Sequence, residues 1–386
     1  MKKKLGGLGR KSGLGFTLVE LLVSTAVLLL IMAMLLSMTT QTGNLWRSTT
    51  AKIEEFRAAR DAFEAMTRRI SQATLNTYWD YYPNATAPTS YIRQSDLRFI
   101  SGPMTTIAPA PVAPRQWPTQ GIFFQAPLGF SQDATTYGLA DLLNTWGYFI
   151  EFNSDAAERP TLVTPALSPL RYRYRLCELM QPTDAFTVYG GTTGLNSGTS
   201  GLNSSGGLNA STYVGRDWFS NPLGLSDTST SPARPVHVLA ENVIALVILP
   251  KLTALDETEA TKQAASTTGK TYDDSSLAPT YLYDSTGTGM PAANLADNVL
   301  DPKNQMPAIV EVTMVAISEA SSIRLAQTNG TSAPNFGLSS LFTDATKTSI
   351  DLNQLELNLT AMHVTYHVFS TNVAIKGAKW SRDETN

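Results

Sequence analysis

Cysteine is almost missing from this chain. Cys177 stands alone in 386 residues, which excludes an internal disulfide; oxidising conditions are tolerated but not exploited. Histidine is nearly as scarce, with only His237, His363 and His367, so imidazole bases and metal ligands are few. Charged residues make up 16% of the chain and balance to −3. A polyanion finds no electrostatic footing on such a surface, so no nucleic-acid partner is expected. No Gly-x-Ser-x-Gly turn surrounds any of the many serines, and no glycine cluster lies between a strand and a helix in the phosphate-binding manner. The sequence gives no warrant for an enzyme and implies no cofactor or metal site.

What the chain does have is one long apolar run. From Phe16 to Met38 it is apolar with little interruption and carries a single charge, Glu20. About 20 such residues suffice to cross a bilayer as a helix. Ahead of it lies a short basic leader with Lys2, Lys3, Lys4, Arg10 and Lys11. Ser24, Thr25 and Ala26 lie inside the run, not after it, so a secretory-type cut would have to fall near Ser37 to Thr40. A carboxylate inside an apolar helix is costly and ordinarily answers to a partner. Cutting before Phe16 would create one: a new cationic α-amino group on the same molecule or on a neighbour.

Gly15-Phe16-Thr17-Leu18-Val19-Glu20 behind a basic leader resembles the type IV prepilin processing site. The resemblance implies that a dedicated membrane peptidase and methylase cuts after Gly15. Phe16 would then be the first mature residue and Glu20 the carboxylate used in subunit docking. It further implies partners among other pilin-like subunits and a membrane assembly platform, with inner-membrane lipid around residues 16–38. The leader holds five of the 29 basic residues; the remaining 24 face 32 acidic side chains, a balance of −8. An unprocessed single-pass anchor with a chance glutamate is the plainer alternative.

Composition fits an exported domain on that anchor. A hydrophobic content of 42% supplies a core, and the length allows one large domain or two small ones. Thr39 to Asn44 offers a place for the helix to loosen, with Gly43 costing about 1 kcal/mol in a helix interior. From Leu45 to about Leu75, Ile53, Phe56, Ala59, Phe63, Met66 and Ile70 recur at helical steps among charged residues, which predicts an amphipathic helix laid on a sheet. Tyr78, Trp79, Tyr81 and Tyr82 then close that helix onto the domain.

Strands are expected at Gly121–Gln125, Trp146–Phe152 and Arg171–Met180. In the last of these the three arginines are expected to face solvent while Tyr172, Tyr174, Leu176 and Cys177 cover a core. Val236–Pro250 reads as strand with a break near Glu241-Asn242, Pro307–Ile317 as strand followed by a helix over Ser318–Ala326, and Met362–Phe369 as a final strand. Loops are expected at Ile107–Pro118, at about 188–214 with its Gly-Leu-Asn repeats, and at about 252–300. Asp273, Asp274 and Asp284 lack the spacing of a calcium loop. His363 and His367 would approach a metal spacing only on a helix.

The expected fold is therefore α+β and type IV pilin-like, a long N-terminal helix with its second half packed on an antiparallel β-sheet domain with elaborated loops. Its parts are a leader at 1–15, a membrane half at 16–38, an exported amphipathic half at 39–76 and a periplasmic β-rich domain at 77–386. Ala240 to Val243, Met306 to Thr313 and Ser370 to Val373 resemble segments of the larger minor pseudopilins of type II secretion, the J-type subunits. Arg60 to Ile70, with Ala73 to Trp79, is similar to the Verru_Chthon cassette protein C family of the Verrucomicrobia. These resemblances imply a subunit of a pilus-like or secretion filament, anchored in the inner membrane. The alternatives are a membrane-anchored periplasmic scaffold or binding protein that enters no filament and, with less to recommend it, a membrane-bound enzyme.

Overall fold

The computed structural model describes residues 17–81, 91–160, 162–185, 217–227, 234–267, 269–287, 300 and 302–378. Gly15, Phe16, Tyr82 and the 188–214 segment lie outside the described residues. The chain forms two compact units dividing between Glu54 and Glu55.

In the first unit, α1 (Leu18–Glu55) is helical without interruption through Thr39–Asn44. The loosening expected there is absent: one glycine costs little in a helix of this length, and Thr39, Thr40 and Thr42 return their hydroxyls to carbonyls one turn back. Residues Leu18–Gly43 are long and apolar enough to cross a membrane. Leu, Ile, Val and Met side chains are exposed on every side of this stretch, the pattern of a helix whose solvent is not water.

The second unit begins at Glu55, and the helix is interrupted by a turn at Phe56. In α2 (Arg57–Ile70), Ala59, Ala62, Phe63, Met66 and Ile70 are buried at steps of three and four, as the sequence pattern predicts. A short hairpin follows, β1 (Tyr78–Tyr81) against β2 (Tyr91–Gln94). Tyr78 to Tyr81 of the aromatic run are thus strand, and Trp79 is half exposed.

Six strands make the large sheet: β3 (Ile100–Pro103), β4 (Gln120–Pro127), β5 (Leu143–Ser154), β6 (Tyr172–Gln181), β7 (Val236–Glu241) and the short β9 (Tyr283–Asp284). Numbering β8 as Val243–Lys251, the spatial order is β7-β6-β5-β4-β3-β9, antiparallel throughout. The second sheet has order β11-β10-β8, with β10 spanning Ile309–Ile317 and β11 Tyr366–Ala374, also antiparallel. The expected break at Glu241-Asn242 is the point where the chain leaves one sheet for the other. Asn242 sits at φ 63°, a left-handed conformation that asparagine tolerates better than most residues. Its N–H donates to the Tyr174 carbonyl at 2.7 Å and its own carbonyl accepts from the Ile317 N–H at 2.8 Å.

Strand alternation sorts the two faces of the large sheet. Ile122, Phe124, Trp146, Tyr148, Ile150, Phe152, Tyr174 and Leu176 share one core with α2 and the three-stranded sheet, and β8 packs across β3 to β6. Phe63 meets Phe369 of β11 with ring centroids 5.7 Å apart. The opposite face carries Phe123, Phe149, Cys177 and Leu179, covered by Met104 of α3 (Met104–Ile107) and by Trp218, Phe219 and Leu223, the last of these within α4 (Ser220–Gly224).

Three helices complete the unit. α5 (Ala254–Thr267) occupies part of the span expected as loop; good helix formers such as Ala, Glu, Lys and Gln fill it, and it buries Ala260 and Ala264. α6 (Glu319–Asn329) is capped by the Ser318 side chain, which accepts from the Ser321 N–H. α7 (Thr348–Ala361) occupies a stretch the sequence reading leaves unassigned, and it displaces the start of the last strand: Met362 and His363 belong to the turn that closes this helix.

Candidate functional site

Of the residues singled out at the N-terminus, Gly15 and Phe16 lie outside the described residues, and Glu20 sits in the first turn of α1. Thr17 precedes the helix and Glu20 is its third residue, the spacing of a capping box. The two groups reciprocate. Glu20 Oε2 accepts from Thr17 N at 3.1 Å and from Thr17 Oγ1 at 3.0 Å, while the Glu20 N–H donates to Thr17 Oγ1 at 3.3 Å. The carboxylate therefore already answers to donors of its own helix end. Threonine three residues before glutamate was the sequence signal for this arrangement.

The two arginines of β6 correct the expectation that all three of the Arg171–Met180 stretch face solvent. Arg171 is exposed, but Arg173 and Arg175 are buried. The physical reason is that the fold brings carboxylates from distant sequence onto them. Arg173 makes a bidentate contact with Glu319 at 2.6 Å on both nitrogens and a third bond to Glu241 at 2.9 Å. Glu319 also accepts from Asn242 Nδ2 at 2.7 Å, so one guanidinium ties the switch between sheets to the start of α6. Burial opposes the charge on Arg173, yet Glu319 and Glu241 outweigh it and raise its pKa.

Beside it lies a second set, in which Arg115 and Glu151 are buried and Asp227 and Arg234 half-buried. Glu151 accepts from Arg234 Nη2 at 2.6 Å. Asp227 accepts from Arg115 at 2.6 Å, from Arg234 at 3.0 Å and from Asn153 at 2.7 Å. Arg115 further donates to the carbonyls of Leu223 and Leu225. Two guanidinium groups and two carboxylates thus neutralise one another while holding the segment that covers Phe123 and Phe149. Burial pushes Asp227 upward, but Asn153, Arg115 and Arg234 prevail and hold it below the ordinary carboxylate range. Arg175 donates to the Ser154 carbonyl at 2.8 Å and lies 3.5 Å from Glu158; burial lifts Glu158 above its usual value. Cys177 is buried in this neighbourhood, and burial followed by the Glu151 charge pushes its thiol well up. That disfavours the thiolate, the form in which cysteine attacks.

Other titratable residues have structural duties. Asp273 caps a short 3-10 turn, Asp274 pairs with Lys251 at 2.8 Å and Asp284 takes a bidentate contact from Arg98. His367 packs between Phe56 and Phe369 on β11, while His363 occupies a left-handed turn at φ 55°. No group of three His, Cys, Asp or Glu side chains placed to hold a metal occurs among the described residues. The triplet Gly269-Lys270-Thr271 comes after α5 and precedes no phosphate-cradling helix.

The most voluminous of the described pockets is a cleft of about 760 Å³ between the α3 region, the outer edge of β8 and the 333–343 segment. Trp117, Gln120, Tyr174 and Phe336 are buried in its walls, and its rim carries exposed hydroxyls and amides including Thr106, Asn335 and Ser339. Comparison of the chain with known protein families, curated proteins and solved structures finds no match.

Proposed function

We propose that this protein is a minor pilin-like or pseudopilin-like structural subunit, cut by a prepilin peptidase after Gly15 and assembled into, or capping, a filament of the type IV pilus or type II secretion kind. The single observation that carries the reading is the junction of Gly15-Phe16-Thr17-Leu18-Val19-Glu20 with a membrane-length apolar helix. Support comes from the second unit, in which an amphipathic helix is buried against antiparallel sheets. On this reading residues 16–38 hold the subunit in the inner membrane with its β-rich unit in the periplasm. Packing of apolar helices supplies assembly energy, and Glu20 sets axial register by pairing with a cationic N-terminus. Its partners are the peptidase and methylase, other pilin-like subunits, the assembly platform and membrane lipid.

The test is N-terminal mass analysis of protein extracted from membranes of its native host. A mature end at Phe16, with or without one methyl group, is expected. An intact Met1 would leave a single-pass anchor and favour a periplasmic scaffold that enters no filament.

A further inference from the structure

The described tryptophans of the second unit divide sharply. Trp117, Trp146 and Trp218 are buried, whereas Trp79 on β1 is 48% exposed. It lines a hollow of about 430 Å³ between the β1–β2 hairpin and the body of the unit. The ring is fixed there. Arg93 stands directly opposite it in the hairpin register, with its guanidinium carbon 5.7 Å from the indole centroid, an attraction of a cation to the ring face. The Tyr78 hydroxyl donates to Asp96 at 3.0 Å and Asn304 Nδ2 donates to the Arg93 carbonyl at 2.6 Å, so each strand of the hairpin is anchored beyond its own ladder. A ring positioned before its partner arrives loses little freedom on binding.

Only the surface that a ligand reaches specifies it. Asn304, Gln305 and Met306 in the lining are buried, while Thr77 and Trp79 are exposed and Thr74, Tyr78 and Arg93 half-buried. What is within reach is one aromatic plate, hydroxyls that both donate and accept, and a single formal charge, that of Arg93. An extended peptide needs apolar recesses for its side chains, and besides Trp79 the hollow offers only half-buried Leu75 and buried Met306. A nucleic-acid base stacks as well, but its phosphates meet a chain of net negative charge. A pyranose answers to both features: its axial C–H groups lie against the electron-rich indole face, and its hydroxyls exchange hydrogen bonds with a threonine. The volume lies within the range of specific ligand sites. We infer that this hollow binds a saccharide, with one pyranose ring stacked on Trp79 and its hydroxyls bonded to the Thr77 side chain. The site is separate from the filament contacts proposed above and needs none of them.

The experiment uses full-length protein in micelles of a polyoxyethylene detergent, whose headgroup is not a sugar. It is titrated calorimetrically with cellohexaose, laminarihexaose, chitohexaose and hexagalacturonate, and with decaproline, whose rings also stack on tryptophan. Saturable binding of at least one of the four saccharides is expected, with a Kd of about 1 mM or below. Trp79→Ala is expected to weaken that binding by about tenfold or more, and Trp79→Tyr, which restores a ring, to recover most of it. Both variants are expected to keep the circular dichroism spectrum of the unsubstituted protein, which separates loss of the site from loss of the fold. No saturable binding of any saccharide up to about 10 mM, undiminished binding by Trp79→Ala, or equal losses in Trp79→Ala and Trp79→Tyr would overturn the inference. Saturable binding of decaproline in place of the saccharides would overturn it too, assigning the ring to peptides.

Discussion

Glu151 illustrates how much single residues carry in the far face of the large sheet. Its carboxylate is bonded to Arg234 and lies 3.6 Å from Arg115, and all three side chains are largely buried. Removing one partner of a buried ion pair strands the others and costs about 3–5 kcal/mol. Glu151→Ala should therefore lower the unfolding free energy of the second unit by that amount, read from its urea denaturation curve by tryptophan fluorescence. Gly147 is constrained differently: it faces Phe123 across the β4–β5 ladder, and an added Cβ would fall on the Phe123 ring. Gly147→Ala should cost about 1–3 kcal/mol in the same assay. The solitary Cys177 is buried with its thiol held protonated, so iodoacetamide should label it only after denaturation; rapid labelling of native protein would contradict this burial. None of these pairings was readable beforehand. Strand alternation showed which residues share a face with Arg173 and Arg175, but Glu241 and Glu319 reach Arg173 only because β7 pairs with β6 and α6 begins where β10 ends.

Elements that bury a continuous apolar pattern were the legible ones. β5, β6, β8 and β10 fall where alternation or an unbroken apolar run placed them, and α2 shows its stripe in Phe63, Met66 and Ile70. α7 was hidden by its own composition. Leu355, Leu357 and Leu359 alternate as in a strand, yet only Leu355 and Leu359, one helical turn apart, are buried, while Leu357 is exposed. α5 was hidden for the opposite reason, since its buried side chains are alanines and give little hydrophobic signal. Among the elements α2 gives the sharpest mutational test: Met66 is wholly buried, so Met66→Ala should cost about 2–5 kcal/mol. The segment holding Asp227 gives a pH test. A carboxyl whose folded pKa lies below its unfolded value of about 3.9 contributes stability that is fully present above that value. This contribution is lost as pH falls through the lower folded value, because protonation then releases Arg115 and Arg234. The thermal midpoint should fall as pH is taken from about 5 toward 2, with a shallower fall in Asp227→Asn.

For the whole molecule the issue is what Glu20 would do in the proposed filament. In the isolated subunit it completes a capping box with Thr17, a role glutamine fills as well as glutamate. In the proposed filament it pairs with a cationic N-terminus, a role that needs the negative charge. The two substitutions therefore part company. Glu20→Ala removes both functions, and loss of the cap alone costs a helix end about 1 kcal/mol, small beside the apolar surface that keeps residues 16–38 in lipid. Glu20→Gln keeps the cap and removes the charge. If charge pairing sets register, both variants should insert into membranes at normal levels and both should be depleted from sheared filaments in the native host. If capping is the whole of its role, Glu20→Gln should enter filaments like the unsubstituted protein while Glu20→Ala does not. Quantitative immunoblotting of membrane and sheared fractions distinguishes the cases, and normal incorporation of Glu20→Gln would remove the electrostatic part of the assembly proposal while leaving processing at Gly15 to stand on its own mass measurement.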